Sequence, residues 1–166
     1  MLKNIIQARN IKKALYVPEK SGAVLHSNGY CSRFEVRYSD ETTLIEHAFE
    51  LKPKKRIRNL FTDKIILCAG VILRNKNSWS LIHADSYKSL EILLERASQD
   101  ILLDSIEHID ICTPTIIDYP TNNYLSVLRS LIPKIHPILH QRRGIIGLVK
   151  QEVACGKDIF YTGKYK

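Results

Sequence analysis

The sequence is short of the features that mark several classes of protein. Only 7 Gly and 6 Pro occur among 166 residues, and no segment repeats at a fixed period, which excludes low-complexity and solenoid architectures. The longest apolar run, Ile65 to Leu73, is too short to span a bilayer as a helix. Lys and Arg interrupt the apolar residues at the start of the chain, so we expect no secretory signal and a soluble protein.

Close cysteine pairs are also missing. Cys31, Cys68, Cys112 and Cys155 are scattered, without the C-x-x-C spacing of structural zinc sites and redox motifs. We therefore expect independent reduced cysteines, a reducing compartment such as the cytoplasm, and no metal or other cofactor.

What is present fits one folded unit with a basic surface. A hydrophobic content of 45% fills a single core, so we predict one domain over residues 1–166. The formal charge is +8, and part of it lies in one basic stretch, which comprises Lys52, Lys54, Lys55, Arg56 and Arg58. Such a stretch suits an acidic protein or a nucleic acid. Nucleic acid is the less favoured partner, because no RNP motif, zinc-finger spacing or basic heptad helix accompanies it.

The hydrophobic patterns predict an α+β layered sandwich of mostly antiparallel strands with two main helices. We interpret residues 21–29 as a loop, because Gly, Ser and Asn dominate them. The predicted strands are Cys31–Tyr38, Thr43–Leu51, Lys64–Leu73, Trp79–Ala84, His108–Ile116 and two strands around the sequence ACGKD near the carboxyl end.

The two helices have recognisable starts. The first is capped by Asp85 or Ser86 and carries apolar residues at helical spacing as far as Leu102. The second runs from about Thr121, an N-cap candidate, through Arg143, disturbed by Pro133 and Pro137.

One predicted hairpin carries chemically reactive residues. A turn centred on Asn75 and Lys76 sets Cys68 opposite His83, whereas a turn one residue later sets Gly70 opposite His83 and Cys68 opposite Asp85. Both registers leave these four residues on one face of the hairpin, with opposed Cβ atoms about 5 Å apart.

A thiol and an imidazole in this arrangement suit nucleophilic catalysis. The imidazole accepts the thiol proton, and the resulting ion pair lowers the thiol pKa. Gly70 leaves the approach open, and Trp79 is a candidate to line a substrate cleft. A structural interpretation stays open at this point, because Cys is among the most buried residue types and packs as a small hydrophobe.

The segment LCAGVILRNKNSWSLIHADS resembles a family of cysteine amidohydrolases, in which a Cys strand, a short loop and a His strand follow in this order. The family includes the chemotaxis receptor glutamine deamidase, the catalytic domain of cytotoxic necrotizing factor and the N-terminal asparagine amidohydrolases, and the segment looks most like the last of these. In place of the Ser or Thr that commonly precedes the nucleophile in the family, this chain has Ile66 and Leu67.

The resemblance implies a deamidase that acts on an exposed Asn or Gln side chain of a protein. Cys68 would attack the carboxamide, and His83 would transfer the protons. A third group would orient the imidazole, for which Asp85, Thr113 and Thr115 are the candidates. Transglutamination and proteolysis use the same thioester chemistry. The alternative from a different class is a non-catalytic interaction module that uses the basic stretch.

Overall fold

Eleven strands and two α-helices form the described part of the chain. The structure is a computed structural model that describes residues 14–38, 44–49, 59–141, 145–149 and 152–156. The strands are β1 (Ala14–Tyr16), β2 (Ser21–His26), β3 (Cys31–Tyr38), β4 (Leu44–Phe49), β5 (Asn59–Phe61), β6 (Ala69–Arg74), β7 (Ser78–Ala84), β8 (His108–Thr113), β9 (Ile138–Gln141), β10 (Ile145–Val149) and β11 (Glu152–Gly156). The helices are α1 (Tyr87–Ala97) and α2 (Thr121–Leu131).

Seven of these strands form one large sheet in the order β4-β3-β2-β7-β6-β8-β9. Its neighbours pair antiparallel except β8 and β9, which pair in parallel. A smaller sheet has the order β1-β5-β10-β11. The predicted α+β class with mostly antiparallel strands is therefore confirmed.

The large sheet is covered on both faces. On one face, Val71 and Ile82 pack with the apolar sides of α1 and α2. On the other face, Ile72 and Leu81 pack with Leu60 of the smaller sheet. Because side chains alternate along a strand, β6 and β7 must be apolar on both sides, as their sequence indicates.

The start of α1 follows its sequence signal, but its end does not. Ser86 is the N-cap: its side chain accepts from the Ser89 backbone N–H, and the Ser89 side chain bonds back to the Ser86 backbone. Asp85 is therefore not the cap. The helix ends at Ala97 rather than near Leu102, and beyond its end Asp100 accepts hydrogen bonds from Arg96 and Ser32 at 2.7 Å each.

The prediction of a loop over residues 21–29 is wrong for residues 21–26. These residues form the strand β2, which pairs with β3 and β7 in the middle of the large sheet. The Gly in this segment serves close packing rather than a turn. A Cβ at Gly22 would overlap the Phe34 ring. Gly22 therefore lies in the strand interior, where a glycine often marks a close approach.

Two further boundaries differ from the prediction. Helix α2 begins after its N-cap Pro120 and ends at Leu131, before Pro133, and the residues predicted to continue it form β9 instead. The carboxyl-terminal hairpin turns after Val149, which pairs with Glu152, and the ACGKD segment begins inside β11. In the part of the chain that the structure describes, no helix is long and apolar enough to cross a membrane.

Candidate functional site around Cys68 and His83

The register of the β6–β7 hairpin decides how Cys68 and His83 are placed. Gly70 pairs with His83, and Ala69 pairs with Ala84. The register that forms is therefore the one with the turn centred one residue later. The other predicted register, which sets Cys68 directly opposite His83, is wrong. Cys68 lies one residue before β6, diagonal to His83 and beside Asp85.

Cys68 belongs to an irregular segment that links β5 to β6, not to the buried strand that was predicted from Lys64 onward. Lys64 has a φ of 57° in this segment, and residues 66–68 form a bend. The side chain of Cys68 is 6% exposed, whereas Cys31 and Cys112 are 0% exposed. All three are free thiols, and Cys68 is the one nearest to solvent.

Glu19 contacts the Cys68 thiol. The thiol donates to Glu19 Oε1 at a distance of 3.4 Å. Glu19 is exposed in the turn between β1 and β2, and the next residue, Lys20, donates its backbone N–H to the His83 carbonyl at 2.7 Å. The backbone bond between this turn and β7 therefore holds the Glu19 carboxylate beside the Cys68 thiol.

The surroundings of Cys68 keep its thiol protonated at neutral pH. Burial raises the pKa of Cys68 to about 12, and the Glu19 and Asp85 carboxylates add to the rise, while the Leu67 backbone acts in the opposite direction. The predicted lowering of this pKa by an ion pair with His83 is wrong for this state of the protein. At rest the Cys68 thiol is therefore neutral.

The His83 imidazole is buried and held in one orientation. Its Nδ1 lies 2.8 Å from the Thr62 hydroxyl, and that hydroxyl donates its only proton to the Val17 carbonyl at 2.6 Å. Thr62 must therefore accept from Nδ1–H, which leaves the lone pair on Nε2. Within the described residues, Nε2 is buried and has no hydrogen-bond partner.

Burial lowers the pKa of His83 to about 4, although the Glu19 and Asp85 carboxylates oppose the shift. At neutral pH the imidazole is therefore uncharged, and Nε2 carries a lone pair that can accept a proton. The same two carboxylates act on Cys68 and on His83, so all four groups meet at one end of the hairpin. They also favour a positive charge on the imidazole once it accepts a proton.

Tyr119 approaches the site from the segment that connects β8 to α2. Its ring stacks on Tyr124 with centroids 5.9 Å apart and an interplanar angle of 8°. The pKa of Tyr119 is raised above its usual range by burial, by the Tyr124 hydroxyl and by the Cys68 and Cys112 thiols. The connection after β8 therefore returns toward Cys68.

The other predicted site residues have different positions. Thr113 accepts a hydrogen bond from Thr121 at 3.3 Å, and Thr115 is exposed, so Thr62 rather than either of them orients the imidazole. Asp85 affects the pKa of both Cys68 and His83 through its charge. Gly70 is buried between His83 and Cys112.

Trp79 is wrongly predicted as a cleft residue. It pairs with Arg74 at the opposite end of the hairpin, about 13 Å from His83 at the rise of a strand. There it packs against the core between the two sheets. The basic stretch, with Lys52, Lys54, Lys55, Arg56 and Arg58, lies outside the described residues.

Glu19 and Thr62 could not be found from the sequence. Thr62 lies 21 residues from His83, and Glu19 lies 49 residues from Cys68, in segments without a chemical motif. A separate cavity of about 350 Å³ between α1 and α2 is lined by other residues, among them Tyr87, Glu91 and Asn123. Neither a protein-family model nor a curated protein sequence matches the chain.

Proposed function

We propose that the protein is a cysteine-dependent amidohydrolase that deamidates Asn or Gln side chains of a protein substrate. The observation that carries the proposal is the oriented imidazole: Thr62 holds Nδ1–H of His83, and Nε2 is left without a partner among the described residues. The strand register puts this imidazole diagonal to Cys68. The resemblance of the hairpin sequence to the cysteine amidohydrolases agrees with this arrangement.

The first half of the reaction forms a thioester. Because thiol and imidazole are both neutral at rest, the sulfur gives its proton to Nε2 as it attacks the carboxamide carbon. Glu19 must release the thiol as the amide enters. Backbone N–H groups beside Cys68 would bind the oxyanion. The imidazolium then gives its proton to the departing nitrogen, and ammonia leaves.

The second half hydrolyses the thioester. Water gives a proton to Nε2 and attacks the acyl carbon, after which the thiolate leaves and regains its proton from the imidazolium. The products are the free thiol and the carboxylic acid, which releases its proton to solvent and becomes a carboxylate. Glu19 and Asp85 stabilise the imidazolium in both halves, and they repel the new carboxylate, which favours product release.

Peptide mass mapping of candidate substrate proteins tests the proposal through the mass gain of amide-to-acid conversion. We expect Cys68→Ser to abolish conversion and His83→Ala to slow it by about 100-fold or more at neutral pH. The matched control is Cys31→Ser, which makes the same change at a buried thiol in β3. Unchanged turnover in Cys68→Ser contradicts the mechanism.

The formal charge of +8 supports one alternative, an interaction module for an acidic partner. That function predicts no carboxamide conversion by the wild type and an affinity that falls steeply with added salt. A conversion that is lost in Cys68→Ser rejects it as the main function.

A further inference from the structure

Exposed apolar side chains are concentrated at the Cys68 end of the molecule. Single exposed apolar residues are normal on a protein surface, whereas a group of them marks a binding site. Of the ten large apolar side chains that are exposed in the described residues, six lie on segments that meet at this end. These six are Tyr16, Ile66, Leu67, Tyr87, Ile116 and Ile117.

Two loops bring four of them beside the nucleophile. Ile66 and Leu67 directly precede Cys68 and are 49% and 67% exposed. Ile116 and Ile117 follow β8 and are 37% and 89% exposed. Because β8 runs antiparallel to β6 with Cys112 opposite Gly70, the end of β8 lies beside the start of β6. We call Ile66, Leu67, Ile116 and Ile117 the apolar rim.

The charges at the site indicate what covers this rim. Glu19 and Asp85 both lie close enough to Cys68 to raise its pKa. They disfavour an anionic group next to the carboxamide. A carboxamide residue inside a polypeptide has no α-carboxylate, and unlike a free amino acid it has neighbours whose side chains reach the rim.

We propose that the apolar rim binds an extended segment of the substrate protein, with aliphatic residues on either side of the target Asn or Gln. This inference rests on the proposed function and adds the sequence preference of the site. Leu67 contacts the aliphatic residue on one side of the carboxamide, and Ile117 contacts the one on the other side. The preference excludes segments with Asp or Glu beside the target, since Glu19 and Asp85 repel them.

The test measures binding without turnover, in the Cys68→Ala variant. The probes are short fluorescein-labelled peptides with a central Gln or Asn that is flanked by Leu or by Ala, and the readout is fluorescence anisotropy. We expect Leu-flanked peptides to bind about tenfold more tightly, which is the order expected for burying part of a leucine side chain. Adding Leu67→Ser or Ile117→Ser should remove most of that difference.

The matched control is Leu102→Ser. Leu102 is 72% exposed and follows α1, away from the rim, so its change should leave the preference intact. The proposal is overturned if Leu-flanked and Ala-flanked peptides bind with equal affinity, or if no peptide binds. It is also overturned if Leu102→Ser reduces the preference as much as Leu67→Ser or Ile117→Ser does. A wild-type dimer in sedimentation that Leu67→Ser dissociates overturns it too, because a second copy would then occupy the rim.

Ammonia release from the same peptides by the wild type separates this inference from the proposed function. Tight binding of Leu-flanked peptides without ammonia release retains the rim as a binding surface and rejects the amidohydrolase. Equal release from Leu-flanked and Ala-flanked peptides, with equal binding, retains the amidohydrolase and rejects the rim.

Discussion

Replacing Glu19 by Gln should make the Cys68 thiol more reactive. The carboxylate accepts the thiol proton at 3.4 Å and helps to raise the pKa of Cys68 to about 12. Glutamine keeps the shape of the side chain and removes its charge. A thiolate beside a neutral amide is less disfavoured than one beside a carboxylate, so the pKa of Cys68 should fall.

The size of the effect follows from Coulomb's law. Two unit charges 4 Å apart interact by about 1 kcal/mol in water and about 4 kcal/mol near a protein surface. Glu19 is exposed, and solvent screening therefore places its contribution toward the lower value, equivalent to a pKa change of about 1. The thiolate fraction then rises about tenfold, while the lower basicity reduces the nucleophilicity of each thiolate about threefold. We expect iodoacetamide to label Cys68 about three times faster.

The assay is the rate of iodoacetamide labelling at each cysteine, followed by peptide mass mapping between about pH 7 and pH 10. Cys31 and Cys112 are internal references, because both are fully buried and should not respond. The control variant is Glu107→Gln, which removes a carboxylate just before the far end of β8. A Cys68 rate that is unchanged or lower in Glu19→Gln refutes the electrostatic argument, as does a difference that salt does not weaken.

Three other expectations concern the imidazole and the sheet. The folded-state pKa of His83, about 4, is lower than the usual histidine value of 6.5, so the unfolded chain takes up a proton first as the pH falls. The free energy of unfolding should therefore decrease from about pH 6.5 to pH 4, by up to about 1.4 kcal/mol per pH unit, and level off at lower pH. Urea unfolding across this range checks it, and His83→Asn should flatten the decrease. Thr62→Val removes the acceptor of Nδ1–H and should lower kcat about tenfold or more, with recovery in Thr62→Ser; equal rates in both variants contradict the orienting role. Gly22→Ala forces a methyl group into the Phe34 ring and should cost about 1–3 kcal/mol in urea unfolding; a neutral result refutes the packing argument.

The hairpin of β6 and β7 shows how much structure the local sequence pattern can predict. The apolar residues of β6 and β7 alternate between two covered faces, and Asn75 at the turn bonds the Asn77 and Ser78 backbone N–H groups at 2.9 and 2.7 Å. Those features are local, so the sequence predicted the hairpin. It left two registers open, because both keep the same side chains on the same face.

Strand β2 shows where local reasoning fails. Residues 21–26 contain Ser and Gly, which suggested a loop, yet all of Ser21 to Leu25 are buried in the sheet. The small residue at position 22 accommodates Phe34 from the neighbouring strand. Its role depends on a partner that the local pattern does not contain, since cross-strand packing outweighs the intrinsic preference of a residue.

By itself, the sequence determined the α+β class, the hairpin and the two residues whose chemistry the proposal uses. The tertiary structure decided the rest: it selected the register, brought Thr62 to one nitrogen of His83, and placed Glu19 on the Cys68 thiol. Whether a thiol and an imidazole carry a proton depends on burial and on charges from distant parts of the chain. Burial and the distances between these charges are set only when the chain folds. The sequence therefore identifies the thiol and the imidazole, and the fold determines whether each carries a proton.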